Sequence, residues 1–287
     1  MARLSAVGAA KPSARPGEYP AKPGERGDLQ RWLAARDRLC RLSPEWALKT
    51  LDEAAGFLRD RGMLTLSPDS WLPSLFQACH DEPYSAHARG FGGWPRTKWM
   101  WPARLGTRPD VVVTRLHRGK LLYLADPLGS GLASLCRTSA EEAADGALGS
   151  DAAHLMGLLS DGPLLLEQIH AAGLTDKRLR RARAALERVG AVFTEEVRLE
   201  GRDGGHRHSV RLSRADQRLA ATGPPVDWDE GLTGLLVAAV RSAVVAPARD
   251  VSRWFSWPIG KDVIRRAIGS GSIVEPEAGW IAYPRSS

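Results

Sequence analysis

Apolar positions in the second half of the chain recur at helical spacing and then give way to alternating, strand-like segments. From 150 to 222 the pattern predicts three helices and a hairpin, at 151–159, 164–171, 176–189 and 192–212. Glycines near the hairpin tip permit the positive φ angles that a tight turn needs. Helix, helix, turn, helix, hairpin is the order of a winged helix, so we predict one over 150–222.

The same order recurs after Pro224-Pro225. The pattern predicts helices and a closing hairpin at 231–245, 248–254, 261–268 and 273–283. A second, C-terminal winged helix is therefore predicted over 223–287.

The N-terminal part is less regular. It contains an apolar helical pattern at 28–41, a second helix that begins after Ser43 and ends at Gly62, a short strand at 63–66 and a hairpin at 111–124. We predict a winged-helix-like region over 28–128 that also holds a tryptophan-rich loop. Residues 129–149 are small and polar and predict a linker. The fold class is mainly α with small β-hairpin wings (α+β), built from tandem winged-helix modules.

Proline and basic residues dominate the first 27 positions, which predict a disordered basic tail. The remaining chain has an ordinary globular balance, with 43% hydrophobic and 25% charged residues, so wholesale disorder is excluded. A formal net charge of +7 favours polyanionic partners, because cations release the counterions condensed on phosphates.

The predicted helix at 176–189 carries the strongest functional pattern. Leu179, Ala182 and Leu186 form one apolar stripe, and the other faces are basic. In a winged helix this element enters the major groove, and the wing contacts the backbone or minor groove. We predict DNA contacts from the helix and the wing at Lys177, Arg178, Arg180, Arg181, Arg183, Arg188, Arg202 and Arg207. The alternative is a solvated basic face that binds nothing specific.

A second cluster interleaves Trp94, Trp99 and Trp101 with basic residues that include Arg96 and Lys98. Aromatic faces beside cations can stack on an unpaired base, which suits single strands or a flipped nucleotide. The alternative is that these tryptophans anchor an irregular loop against the core.

The sequence gives little support for metal, disulfide, cofactor or membrane-binding sites. The three cysteines are far apart, which excludes a C-x-x-C metal knuckle and a disulfide framework and favours a reducing, cytoplasmic compartment. His206 and His208 share one face of a strand but have no obvious further ligand, so no metal site is predicted. No phosphate-binding glycine loop and no membrane-length apolar segment occur, so we expect no cofactor and no membrane partner. A monomer is the favoured state.

Glu53 is a weak candidate for a general base, together with Asp52 and Asp60 on the same predicted helix, although such carboxylates are usually just solvated. Cys79 and His80 do not form a nucleophile–base pair, because neighbouring helical positions do not face each other.

Three segments, 72–76, 115–121 and 271–275, together with the order of the elements, resemble the AlkZ family of tandem winged-helix DNA glycosylases. The resemblance covers about residues 40 to 284. It implies hydrolysis of the N-glycosidic bond of bulky alkylated or crosslinked bases, aided by a Q-x-Q or Q-Φ-D motif after an early helix. The corresponding stretch here, 52–57, contains no glutamine.

The leading hypothesis is therefore a winged-helix protein that binds duplex DNA, damaged DNA included, and lacks glycosylase activity. The alternatives are an active glycosylase that excises bulky alkylated bases and a winged-helix transcriptional regulator. Fold alone does not choose among them.

Overall fold

The computed structural model describes residues 29–81, 95–125, 129–200, 206–219 and 225–284. Within these ranges the chain forms helices α1–α12, one 3-10 turn and strands β1–β9, and the strands form three antiparallel three-stranded sheets. The predicted tail at 1–27 lies outside the described residues.

The first module follows helix α1 and the 3-10 turn. Helix α1 covers Leu29–Leu39, and the 3-10 turn covers Pro44–Trp46. The module itself contains α2 (Leu51–Arg61), β1 (Met63–Thr65), α3 (Leu75–Cys79), α4 (Trp101–Gly106), β2 (Val111–His117) and β3 (Lys120–Ala125).

A long helix, α5 (Gly129–Ala144), connects the first module to the second. The second module contains α6 (Ser150–Leu158), β4 (Leu164–Leu165), α7 (Leu166–Ala171), α8 (Asp176–Arg188), β5 (Val192–Glu200), β6 (His206–Arg214) and α9 (Ala215–Arg218). The third module contains α10 (Trp228–Ala243), β7 (Val245–Pro247), α11 (Ala248–Val251), α12 (Lys261–Gly269), β8 (Val274–Glu277) and β9 (Trp280–Ala282).

All three modules share one topology. Each runs helix, short strand, two helices and hairpin, and the short strand pairs with the last strand of the hairpin: the sheet orders are β1-β3-β2, β4-β6-β5 and β7-β9-β8. This is the winged-helix arrangement, so the predicted α+β fold of tandem winged helices is confirmed. The short strands β4 and β7 were not predicted, because two or three residues are too few to show an alternating pattern.

The predicted linker at 129–149 is wrong over most of its length, because α5 is a helix of 16 residues. Leu132, Leu135, Cys136 and Ala140 on α5 are at most 2% exposed and join the largest core cluster. α5 packs against α6, α9 and above all α10. Small residues make that approach possible: a Cβ added at Gly231 of α10 would lie 3.3 Å from the carbonyl oxygen of Gly131 on α5.

The predicted single helix from Pro44 to Gly62 also differs from the structure. Pro44–Trp46 is a 3-10 turn, and the side chain of Ser43 does not cap it but donates a hydrogen bond to Asp37 at 2.7 Å. The helix proper begins at Leu51, with the Thr50 hydroxyl accepting a hydrogen bond from the Glu53 N–H at 3.1 Å. Its predicted end is right, since Gly62 follows with φ 83°.

The modules contact one another directly. Strand β2 of the first module packs against α8 and β5 of the second. The Ser256 N–H of the third module donates a hydrogen bond to the carbonyl oxygen of Leu116 on β2, at 3.1 Å. None of the helices within the described ranges is long and apolar enough to cross a membrane.

Candidate nucleic-acid interface

Helix α8 presents a buried face and a basic face. Leu179, Ala182 and Leu186 are at most 3% exposed and hold the helix against the core. Opposite them, at 3.6 residues per turn, five exposed positions fall within a single arc of about 100°. These are Lys177, Arg180, Arg181, Ala184 and Arg188. Four of the five positions therefore place a cation on one solvent-facing strip.

Ion pairs divide the six cations predicted on this helix into two groups. Arg178 donates to Asp151 of α6 at 2.9 Å and lowers the pKa of that carboxyl group. Arg183 lies 3.6 Å from Glu187, whose side chain is only 6% exposed. Among the described residues, no carboxylate lies within ion-pair distance of Lys177, Arg180, Arg181 or Arg188. The basic strip of α8, as we call these four residues, thus has no direct ion pair within the described part of the protein.

The wing β5–β6 is mixed in charge rather than basic. Arg207 pairs with Glu167 at 2.6 Å, and Arg211 pairs with Glu195 across the two strands. The Ser209 hydroxyl also donates to Glu167 and helps to lower the pKa of that carboxyl group, after the larger effect of the Glu167 backbone N–H. Arg207 is therefore already partnered, and Arg202 lies outside the described residues.

The hairpin β2–β3 of the first module brings further cations to the C-terminal end of α8. Arg115 on β2 lies 3.1 Å from the carboxylate of Glu187 on α8. A Cβ added at Gly119, in the turn, would lie 3.5 Å from Nε of Arg188. Arg118 and Lys120 flank that glycine, with side chains 40% and 59% exposed. The basic surface therefore extends across two modules.

Asp69 holds the turn end of this hairpin. Its carboxylate lies 2.9 Å from Nε2 of the fully buried His117 and also pairs with Lys120. Burial alone would raise the pKa of Asp69, but the hydrogen bonds from His117 and Lys120 outweigh it and lower the pKa to about 2. Asp69 is thus ionised at neutral pH and ties the loop before α3 to the hairpin.

The residues of the tryptophan cluster differ in their environments. Trp101 is half-buried, and the ammonium group of Lys98 lies 5.5 Å from its ring centroid and donates to the Cys79 carbonyl at 2.9 Å. These contacts give Lys98 and Trp101 a role in anchoring the loop, as the alternative interpretation expected. Trp99 is 49% exposed and Arg96 is exposed. Trp94 lies outside the described residues.

The candidate general base, Glu53, caps a helix. Its carboxylate accepts a hydrogen bond from the Lys49 N–H at 2.7 Å, while its own N–H donates to Thr50. This reciprocal pattern resembles a capping box and stabilises the first turn of α2. The carboxylate of Asp52 is 97% exposed. Glu53 is thus engaged at the start of α2, and Asp52 is solvated.

The structure also describes two residue pairs, His206–His208 and Cys79–His80, for which the sequence predicts no site. The rings of His206 and His208 lie edge to face with centroids 5.7 Å apart, and the described residues contain no group of three side chains suited to a metal ion. Burial raises the pKa of the Cys79 thiol to about 12, while His80 Nε2 is paired with the Arg41 carbonyl at 2.8 Å. Cys79 and His80 therefore form no nucleophile–base pair.

Comparison with known proteins yields one structural likeness. No family model matches the chain, and no curated protein matches it. Among solved structures, the Streptomyces sahachiroi DNA glycosylase AlkZ is similar at 16% identity and a TM-score of 0.47, covering 88% of this chain and 68% of that chain. At this level the likeness adds nothing to what the chain's own elements establish.

Sequence reasoning missed the part that the first module plays at this surface. The hairpin was predicted, but its position beside α8 depends on the contact between Arg115 and Glu187, residues 72 positions apart. The local signal that was present is the pair Arg118-Gly119, which occupies a two-residue hairpin turn.

Proposed function

We propose that the protein binds duplex DNA through the basic strip of α8, and that this binding is not accompanied by base excision. The basic strip itself is the observation that supports DNA binding. Four exposed cations at Lys177, Arg180, Arg181 and Arg188 share one face, and none has an ion-pair partner in the described ranges.

The position of α8 supports a DNA partner over an unspecified anion. It is the third helix of its winged helix, the element that lies in the major groove in proteins of this topology. At the centre of the strip is Ala184, whose small side chain would let the helix approach the duplex closely. The spread of cations along about three turns matches a linear polyanion better than a small ligand.

The third module offers an internal comparison. Its corresponding helix, α12, also carries arginines, but Arg265 pairs with Asp262 and Arg266 pairs with Asp229 at 2.9 Å. A carboxylate beside each guanidinium lowers the local positive charge, so this face of α12 attracts phosphates less than the basic strip of α8 does. We therefore assign DNA binding to α8 and not to α12.

The test is a salt series. Wild-type protein should bind a duplex of about 25 base pairs with a logarithmic affinity that falls linearly with the logarithm of salt concentration. Replacing Arg180 and Arg181 with Ala should reduce the magnitude of that slope by about 2, one unit for each lost phosphate contact. The Arg265→Ala/Arg266→Ala variant removes the same charge and should leave the slope nearly unchanged. Equal slopes in both variants would overturn the assignment to α8.

The absence of excision is supported by the residues that occupy the implied catalytic stretch. The segment 52–57 has no glutamine, and its carboxylate at position 53 is engaged at the start of α2. Alkylated duplex DNA incubated with the protein should therefore release no base above a protein-free control.

A Glu53→Gln variant makes that assay decisive. Glutamine also fits the third position of a helix, so the fold should be preserved. Base release by the wild type that is abolished in Glu53→Gln would show an active glycosylase and contradict our proposal.

A transcriptional regulator predicts a different pattern. It would prefer one operator sequence and, as a dimer, contact two half-sites about one helical turn apart. Competition among unrelated duplexes of equal length checks this alternative. We expect similar affinities, because cations on a helix face contact mainly phosphates.

A further inference from the structure

The turn between β2 and β3 holds an arginine in a conformation that L-residues rarely adopt. Arg118 has φ 55° and Gly119 has φ 81°, and the two lie between the paired residues His117 and Lys120. Two consecutive positive φ angles in a two-residue loop define a type I′ turn, which Asn-Gly, Asp-Gly and Gly-Gly form at the lowest cost. An arginine at this position therefore reduces stability relative to glycine or asparagine.

Local contacts hold the Arg118 guanidinium at the surface. Its Nη2 donates to the Asp69 carbonyl oxygen at 3.1 Å and lies 3.2 Å from His117 Nε2. The side chain remains 40% exposed. These contacts orient the guanidinium but leave part of its hydrogen-bonding capacity directed to solvent.

The charges around the turn are unbalanced. The nearby carboxylates have nearer cationic partners: Asp69 pairs with Lys120, and Glu187 pairs with Arg115 at 3.1 Å. The Asp69 carboxylate lies 3.9 Å from Arg118. Arg188 has no carboxylate partner among the described residues, and its guanidinium packs beside Gly119. Arg118 is the chain neighbour of Gly119, and Arg188 of the second module packs beside the same glycine; both arginines are exposed.

We propose that Arg118 and Arg188 form a phosphate-binding site for the DNA backbone at the C-terminal end of α8, so that the first module holds the duplex together with the second. The inference rests on the proposed function and deepens it. Guanidinium groups suit this role, because their planar donors match phosphate oxygens in pairs. The backbone strain of the turn is then offset by the position of its cation, which would meet the duplex backbone at the C-terminal end of α8.

The decisive variant is Arg118→Gly, because it relaxes the backbone while removing the cation. We expect its melting temperature to lie within about 2 °C of the wild type or above it, since the lost surface contacts and the relieved strain offset each other. DNA affinity should fall about fivefold near 0.1 M salt, with the magnitude of the salt slope reduced by about 1. Arg118→Lys should restore most of the slope.

Arg41 supplies a matched control. It also has a left-handed backbone, with φ 56°, and its replacement by glycine removes the same charge. Its guanidinium instead packs 5.5 Å from the Phe57 ring centroid and donates to the Trp46 carbonyl at 2.8 Å. Arg41→Gly should lower the melting temperature and leave the salt slope of binding unchanged.

The outcomes separate the two proposals. If Arg118→Gly binds DNA as tightly as the wild type does, the phosphate site is overturned. It is also overturned if Arg118→Gly and Arg41→Gly lose the same affinity, because the loss would then reflect net charge alone. A drop in the melting temperature as large as that of Arg41→Gly would also overturn it, because the arginine would then serve stability. If the wild type itself shows no salt-dependent binding, the proposed function fails instead.

Discussion

Asp69 connects two parts of the first module that are distant in sequence. Its carboxylate holds His117 and Lys120 of the hairpin, and the backbone carbonyl of the same residue holds Arg118. His117 has no exposed side-chain surface, and within the described ranges its Nδ1 has no hydrogen-bond partner. One ionised carboxylate therefore ties the turn end of the hairpin to the loop before α3.

This dependence predicts how stability varies with pH. The folded-state pKa of Asp69, about 2, lies below its ordinary value of 3.8, so its stabilising effect is present above about pH 4 and is lost as pH falls towards 2. The difference corresponds to about 2 kcal/mol. Asp69→Asn should lower the free energy of unfolding by about that amount at neutral pH, and the gap to the wild type should close between pH 4 and pH 2.

Thermal or urea unfolding at a series of pH values measures the gap. Asp145→Asn, at an exposed carboxylate beyond the end of α5, is the control and should change little at any pH. A gap between Asp69→Asn and the wild type that stays constant down to pH 2 would contradict the ionic role of Asp69.

At the scale of the elements, α5 and α10 approach each other closely at a glycine. A Cβ at Gly231 of α10 would lie 3.0 Å from Leu135 Cγ and 3.3 Å from the Gly131 carbonyl oxygen on α5. Three residues further along α10, a Cβ at Gly234 would meet nothing within 4 Å. The two glycines thus differ in environment on a single helix.

Alanine substitutions should therefore have opposite signs. Gly231→Ala overpacks the α5–α10 contact and should destabilise the protein by about 1 to 3 kcal/mol. Gly234→Ala raises helix propensity in open space and should stabilise it by about 0.5 to 1 kcal/mol. Melting temperatures of the two variants check this prediction, and destabilisation of similar size in both would show that the close approach is not the cause.

At the scale of the whole molecule, the sequence predicted the modules better than their assembly. Apolar spacing located α8 and α12 closely, because long periodic helices show a clear pattern. The spacing of Leu132, Leu135, Cys136 and Ala140 would also have predicted α5, but the many small residues around them suggested a linker. Those small residues permit the close packing with α10.

The candidate site was predicted in part for similar reasons. Periodicity indicated which face of α8 is basic, but the loss of Arg178 and Arg183 to ion pairs depends on Asp151 and on the burial of Glu187. Likewise, the partner of Arg207 is Glu167, which lies 40 residues away. Charge partners distant in sequence come together only in the folded chain, so they could not be found from local patterns.

The central claim is that the strip on α8 touches DNA, and a cleavage reagent placed on that strip tests it most directly. The three native cysteines are buried, and burial raises the pKa of each thiol, so a single new cysteine can be labelled selectively. An iron chelate that generates hydroxyl radicals, attached at Ala184→Cys, should cut a bound duplex locally. The same chelate at Gly234→Cys, an exposed position of α10, should not. We predict cleavage from position 184 alone. If the duplex is bound but is not cut from position 184, or is cut equally from both positions, the assignment of the interface to α8 is contradicted.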